Sequence, residues 1–172
     1  MVDLDDANTI RAGVFGVQDG IVSTFGLVMG VAGAQVSPEA VLIAGIAGAF
    51  SGAVSMGAGE YVSVKVQHEL LDARGSVDAD GNVSPHRAAV ANSGLFVLGA
   101  AFPLAPFLFL VGLPAVVLST LLSVTALFVT GALLTRLTRR SPLRSGLRML
   151  VIGGGAGVLG YLVGSLLGVA VG

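Results

Sequence analysis

The sequence predicts an all-α integral membrane protein of five transmembrane helices, and three observations predict it. The 172 residues are 54% hydrophobic and only 11% charged, with a mean hydropathy of +0.92, whereas a soluble domain carries about 25% charged residues. Five apolar stretches reach the roughly 20 residues a helix needs to cross a bilayer: about 12–34, 38–62, 88–111, 114–135 and 147–170. All nine Lys and Arg residues fall before the first stretch, in the second-to-third and fourth-to-fifth connections, or, for Arg148, at the very start of the last stretch. That asymmetry predicts an N-inside, C-outside topology.

The elements follow in order. Arg11 precedes the first span, and the loop from Gln35 to Glu39 has no basic residue. Pro38 and Pro114 suit the first turns of the second and fourth helices, where a missing N–H costs nothing. Pro103 and Pro106 lie inside the third span, so a kink or local unwinding is expected there. The connector 65–87, KVQHELLDARGSVDADGNVSPHR, is expected to continue the second helix for a turn or two before DADGN turns the chain. DADGN is no calcium loop: its glycine is misplaced and the final ligand position falls on Ala89 instead of a glutamate. Arg136, Arg139, Arg140, Arg144 and Arg148 crowd the last connection.

Several function classes drop out. A net charge of −1 gives no reason to expect nucleic-acid binding, and the absence of cysteine excludes disulfides and thiolate chemistry. Neither histidine falls within a predicted span, so no catalytic residue and no enzymatic chemistry are expected. The acidic start MVDLDDANTIR does not read as a cleavable signal peptide. Together with the short connector it favours a prokaryotic plasma membrane. The 26 glycines have no Gly-X-Y period and read as close helix packing. Glycines at 160, 164, 168 and 172 align along one groove expected to pack within the subunit, whereas the first helix, with Gly16, Gly20, Gly26 and Gly30, is expected to meet a partner copy. Five helices barely enclose a polar path, and a symmetric homodimer builds one between identical faces.

The residues that point to chemistry are Asp19, Met56 and Glu60, all set in apolar surroundings. A carboxylate in hydrocarbon costs roughly 2.5–3.5 kcal/mol and marks an ion path by default. Met56 and Glu60 share a helix face, Ser51 and Ser55 lie on neighbouring strips, and Asp19 shares a face with Ser23. Asp19 falls roughly 10 Å inside its span and Glu60 at a comparable depth near the cytoplasmic end, with Met56 about 6 Å deeper. Carboxylate oxygen suits Fe2+ and Mn2+, and a thioether adds preference for softer transition metals. Metal binding needs the deprotonated carboxylate, which makes metal–proton exchange a natural coupling. Other readings stand beside these: Asp19 as an N-cap of a helix starting at Gly20, Glu60 facing water or pairing with Lys65, and Met56 as core filler. His68, Glu69 and Asp72 form a cluster beyond the membrane that reads first as a solvated face and second as a metal site.

The stretches DGIVSTFGLVMGVAGA, SGAVSMGAGEYVSVKVQHE, TGALLTRLTRRSPLRSGLRML and GGGAGVLGYLVGSLLG resemble the vacuolar iron transporter family, which includes the calcium-cross-complementing and nodulin-like transporters. The resemblance implies a five-helix homodimer that moves Fe2+, and often Mn2+, out of the cytoplasm by proton antiport, along a path at the dimer interface lined by the first helices. It implies that Asp19 is the pathway aspartate, that Met56 is the methionine of the SM-x-x-GEY motif, and that Glu60 is its glutamate. Many members insert a glutamate-rich cytoplasmic metal-binding domain after the second helix. Here the connector has one glutamate, Glu69, so the chain resembles the subclass without that domain. His68, Glu69, Asp72 and His86 are what remains for metal capture. The metal is cargo and no bound cofactor is expected; the partners are metal ions, protons, lipid and a second copy. Two rival functions are a non-transporting assembly module and a transporter of another cation.

Overall fold

The computed structural model describes residues 4–75, 83–138 and 141–171. It is an all-helical bundle of five elements: α1 (Leu4–Gly33), α2 (Pro38–Ala73), α3 (Pro85–Phe109), α4 (Leu113–Thr138) and α5 (Pro142–Val171). All five are long and apolar enough to cross a membrane. The DADGN turn, Arg139, Arg140, Gly172 and the side chain of Arg136 lie outside the described residues.

The helices outrun their apolar stretches. α1 starts at Leu4 instead of near 12 and α5 at Pro142 instead of near 147, whereas α2 runs to Ala73, about two turns into the connector as expected. Hydrophobicity marks only the part of a helix that lipid must cover, whereas capping decides where it begins. Ser37 caps α2 by accepting from the Ala40 N–H at 3.3 Å, with Pro38 behind it. Ser84 does the same for α3, accepting from the Arg87 N–H at 3.4 Å before Pro85. Gly112 takes φ 65°, a left-handed conformation that reverses the chain between α3 and α4.

The unwinding expected at Pro103 and Pro106 does not occur: α3 is helical through both. They fall in its last two turns, close to where the hydrogen-bond ladder ends anyway. The Ser119 hydroxyl donates to the Pro103 carbonyl at 2.8 Å, tying α3 to α4.

The contacts define direction. Gly13, Gly16 and Gly20 of α1 lie against Ala91, Asn92 and Phe96 of α3, and Gly26 and Gly30 lie against Ala156 and Gly160 of α5, so α1, α3 and α5 run parallel. Gly57, Gly52 and Gly45 of α2 meet Ser93, Phe96 and Leu104, and in α4 Gly131 meets Gly146 while Leu127 meets Gly153 of α5, so α2 and α4 run the other way. The main core gathers Phe25, Val28, Met29, Leu104 and Phe107. A smaller cluster joins Ile21, Leu127 and Met149.

Backbones touch along two seams. A Cβ on Gly16 or Gly20 would strike the Asn92 or Phe96 carbonyl of α3, and a Cβ on Gly160 or Gly164 would strike the Gly26 or Gly30 carbonyl of α5. The glycines of α5 therefore pack within the chain, as expected. Those of α1 do so too, and the expectation that they face a partner copy is corrected: small residues on a central helix let two neighbours close in.

Gly164→Val is therefore expected to cost about 3 kcal/mol, since backbone on both sides cannot yield. Gly155→Ala, where an added Cβ has nothing within 4 Å, is expected to leave stability unchanged or slightly raised. Thermal unfolding of the two purified variants in detergent checks the contrast.

Candidate cation pathway

Asp19 sits at the middle of the 30-residue α1, which removes the reading of it as an N-cap. It opens onto a notch of about 210 Å³ between α1 and α2, lined also by Ser23, Thr24, Ser55 and Met56, with Phe96 of α3 among its walls. Two glycines of α2 shape it. The Phe96 ring lies where a Cβ on Gly52 would go, and Leu27 reaches over Gly48. Ser23 donates to the Asp19 backbone carbonyl at 2.6 Å, which leaves its lone pairs free. Ser23, Leu27 and Ser55 are exposed, so one side of the notch is open. Ser51 is exposed and lines no part of it.

The notch thus combines a carboxylate, three hydroxyls and a thioether. Among the described residues no basic side chain pairs with Asp19. A carboxylate in an apolar bundle without a resident cation is the arrangement that accepts a mobile one.

Glu60 is not part of this notch. The expectation that the two acids share one level is corrected: Asp19 is level with Ser55 and Met56, whereas Glu60 lies a turn further along α2, toward the end that carries the N-terminus. There it is buried, at 8% exposure. One carboxylate oxygen accepts from Arg11 Nη2 of α1 at 2.8 Å and the other from Asn92 Nδ2 of α3 at 3.3 Å. Its partner is Arg11, not Lys65, because α1 packs over this face of α2 and Lys65 is turned outward. Asn92, 1% exposed, escaped the sequence reading, where a lone asparagine in VANSGLF gave only the weak signal of a polar residue in an apolar helix.

The outlying candidates do not assemble. Among the described residues no group of three His, Asp or Glu side chains is placed to hold a metal ion. His68, Glu69 and Asp72 therefore form no shared site. His86 packs against Tyr61 in a tilted pair with ring centroids 5.0 Å apart. A larger cavity of about 750 Å³ at the opposite end, lined by Phe25, Met29, Val41, Phe107, Val116 and Leu162 among others, has no carboxylate among its described walls.

The model of the VIT family matches residues 10–81 and 72–165. This chain belongs to the VIT family. Vacuolar iron transporter homolog 3 of Arabidopsis thaliana is 35% identical over 172 residues, covering 94% of this chain and 84% of the relative. Homolog 2 of the same plant is 37% identical over 147 residues, 82% of this chain and 75% of the relative. Homolog 1 of Oryza sativa subsp. japonica is 43% identical over 109 residues, 57% of this chain but only 47% of the relative. The matched region of this VIT-family chain holds Arg11, Asp19, Met56, Glu60 and Asn92. These relatives are plant proteins and lend no support to a prokaryotic plasma membrane.

Removing either member of the Arg11–Glu60 pair is expected to have unequal effects. Arg11→Gln leaves a buried carboxylate without its cation, at a cost of about 2 kcal/mol, between an exposed and a fully buried pair. Glu60→Gln keeps the hydrogen bond with Asn92 and frees an arginine already 61% exposed, at a cost under about 1 kcal/mol. Melting temperatures of the two variants in metal-free buffer measure the asymmetry.

Proposed function

We propose that this chain is a secondary transporter that exports divalent transition metal, Fe2+ and also Mn2+, from the cytoplasm in exchange for protons. The observation that carries the reading is Asp19: a carboxylate at mid-helix, with no basic partner among the described residues, sharing a notch with the Met56 thioether. The relatives named above are called vacuolar iron transporter homologs, which agrees with the cargo.

Asp19 binds metal and proton alternately. Metal needs the ionised carboxylate, and a proton neutralises it for the return step, so the two ligands exclude each other at one group. Ser23 and Ser55 replace part of the ion's water shell. Met56 shifts preference from Mg2+ and Ca2+ toward softer ions without the grip of a thiolate, which would hold the ion too tightly for release. No covalent step is involved.

Two further parts belong to the same reading. The end that gathers Arg11, Lys65, Arg74, Arg87, Arg144 and Arg148 faces the cytoplasm. A second copy covers the open side of the notch, because hydrocarbon against Asp19, Ser23 and Ser55 is costly. Phe15 and Leu27, exposed a turn or two to either side of these groups on the same strip of α1, supply apolar contact for that cover.

Uptake of Fe2+ and Mn2+ into proteoliposomes under a pH gradient tests the proposal. Wild-type protein is expected to move both metals with counter-moving protons, and Asp19→Asn to lower the flux by about 100-fold or more. Met56→Leu is expected to keep flux within about tenfold while weakening discrimination against Mg2+. No flux from folded wild-type protein would sink the transporter reading and favour an assembly module. Unchanged discrimination in Met56→Leu would point to a different cargo.

A further inference from the structure

Arg11 and Glu60 are matched in charge and mismatched in burial: their side chains are 61% and 9% exposed. Arg11 can leave into water, and Glu60 cannot follow it. The guanidinium is also held from its own helix, where Arg11 Nε donates to Asn8 Oδ1 at 2.9 Å. Glu60 stays tethered by the Asn92 amide, whose Oδ1 is buried and has no hydrogen-bond partner. The clamp lies one turn from the Asp19 notch on two helices at once, since Glu60 follows Met56 by four residues on α2 and Asn92 precedes Phe96 by four on α3. A cation reaching Asp19 along the α1–α2 seam from the arginine-rich end passes this carboxylate first.

We infer that Arg11 is a tethered competitor of the cargo: its guanidinium occupies Glu60 at the mouth of the notch, and a divalent cation enters by displacing it. This rests on the transporter reading for its purpose, but the displacement is a binding event of its own. With the guanidinium gone, the buried carboxylate lacks compensation and favours any cation that replaces it. Asn92 positions the carboxylate until a cation arrives. Rotation of its amide turns Nδ2, a donor to the empty carboxylate, away and offers Oδ1, an acceptor for a cation bound there. A bare carboxylate would capture any passing cation. The competitor makes entry conditional on a charge dense enough to outbid a hydrogen-bonded guanidinium.

The test is thermal unfolding of the full chain in detergent, titrated with Mn2+ alone, in an Asp19→Asn background that removes the carboxylate of the notch. Adding Arg11→Gln is expected to lower the midpoint without metal and to make the Mn2+ response occur at about tenfold lower concentration, because the competitor no longer holds the competent state to a small fraction. Adding Glu60→Gln as well is expected to abolish that response. Asn92→Leu is expected to weaken it several-fold. If Arg11→Gln does not fold, Arg11→Lys keeps the charge but loses the guanidinium fork, and an intermediate Mn2+ dependence is expected. A response at the same Mn2+ concentration with and without Arg11, or one that survives Glu60→Gln, overturns the inference. Flux separates it from the transporter reading. In protein with Asp19 intact, Arg11→Gln is expected to lower KM for Mn2+, whereas wild-type protein without flux sinks transport and leaves the binding result standing.

Discussion

The bundle depends on the backbone contact of α1 with α3 on one side and α5 on the other. Glycines at 16, 20, 26 and 30 bring α1 within reach of its neighbours' carbonyls, and in lipid, without a hydrophobic force between helices, association rests on such close packing together with interhelical hydrogen bonds. That contact fixes both the height and the rotation of α1. Asp19 then faces Met56, and Arg11, two turns earlier, comes level with Glu60. A displacement of α1 by one turn against α2 and α3 would break both relationships together.

The two carboxylates of the bundle answer the same problem differently. Glu60 is compensated by a guanidinium and an amide and is nearly sealed. Asp19 is half-buried, has no basic partner among the described residues and opens onto hydroxyls and a thioether. A structural carboxylate needs permanent compensation, whereas a transport carboxylate needs compensation that can leave. The pairing of Glu60 with an arginine that is itself mostly exposed lies between these cases, and Glu60 also sits between the arginine-rich end and the notch.

Much of this was legible in the sequence, and the limits have physical causes. The five spans follow from apolar run length and Asp19 from the cost of a carboxylate in hydrocarbon, whereas Met56, which by itself reads as core filler, is singled out by the family resemblance. Helix ends were misplaced because caps such as Ser84 and polar helical extensions such as Leu4–Arg11 carry no hydropathy signal. The partner of Glu60 was illegible: Lys65 is near in sequence, but Arg11 is 49 residues away, and only the glycine seam between α1 and α3 brings it close. Asn92 was missed because its importance lies in which neighbour its amide meets. The resemblance to vacuolar iron transporters placed Glu60 with the other two residues on the pathway, but the packing assigns it a separate level.

One consequence follows from spacing on α2. Met56, Glu60, Val64, His68 and Asp72 recur every fourth residue and form one strip, which at first sight is a ladder from the arginine-rich end to the notch. The ladder is broken at Val64, which is 2% exposed and locked into an apolar cluster with Ala12, Val83 and Ala88. His68 lies beyond this plug, its Nε2 buried and without a hydrogen-bond partner among the described residues. An ion held there has no polar interior route to Glu60, because crossing the plug means shedding water with nothing to replace it. In the proposed transporter, approach along the flank of α1, where Arg11 is exposed, avoids that plug. On that reading the apolar plug and the arginine are complementary: one closes the direct route along α2, and the other stands on the flank that remains.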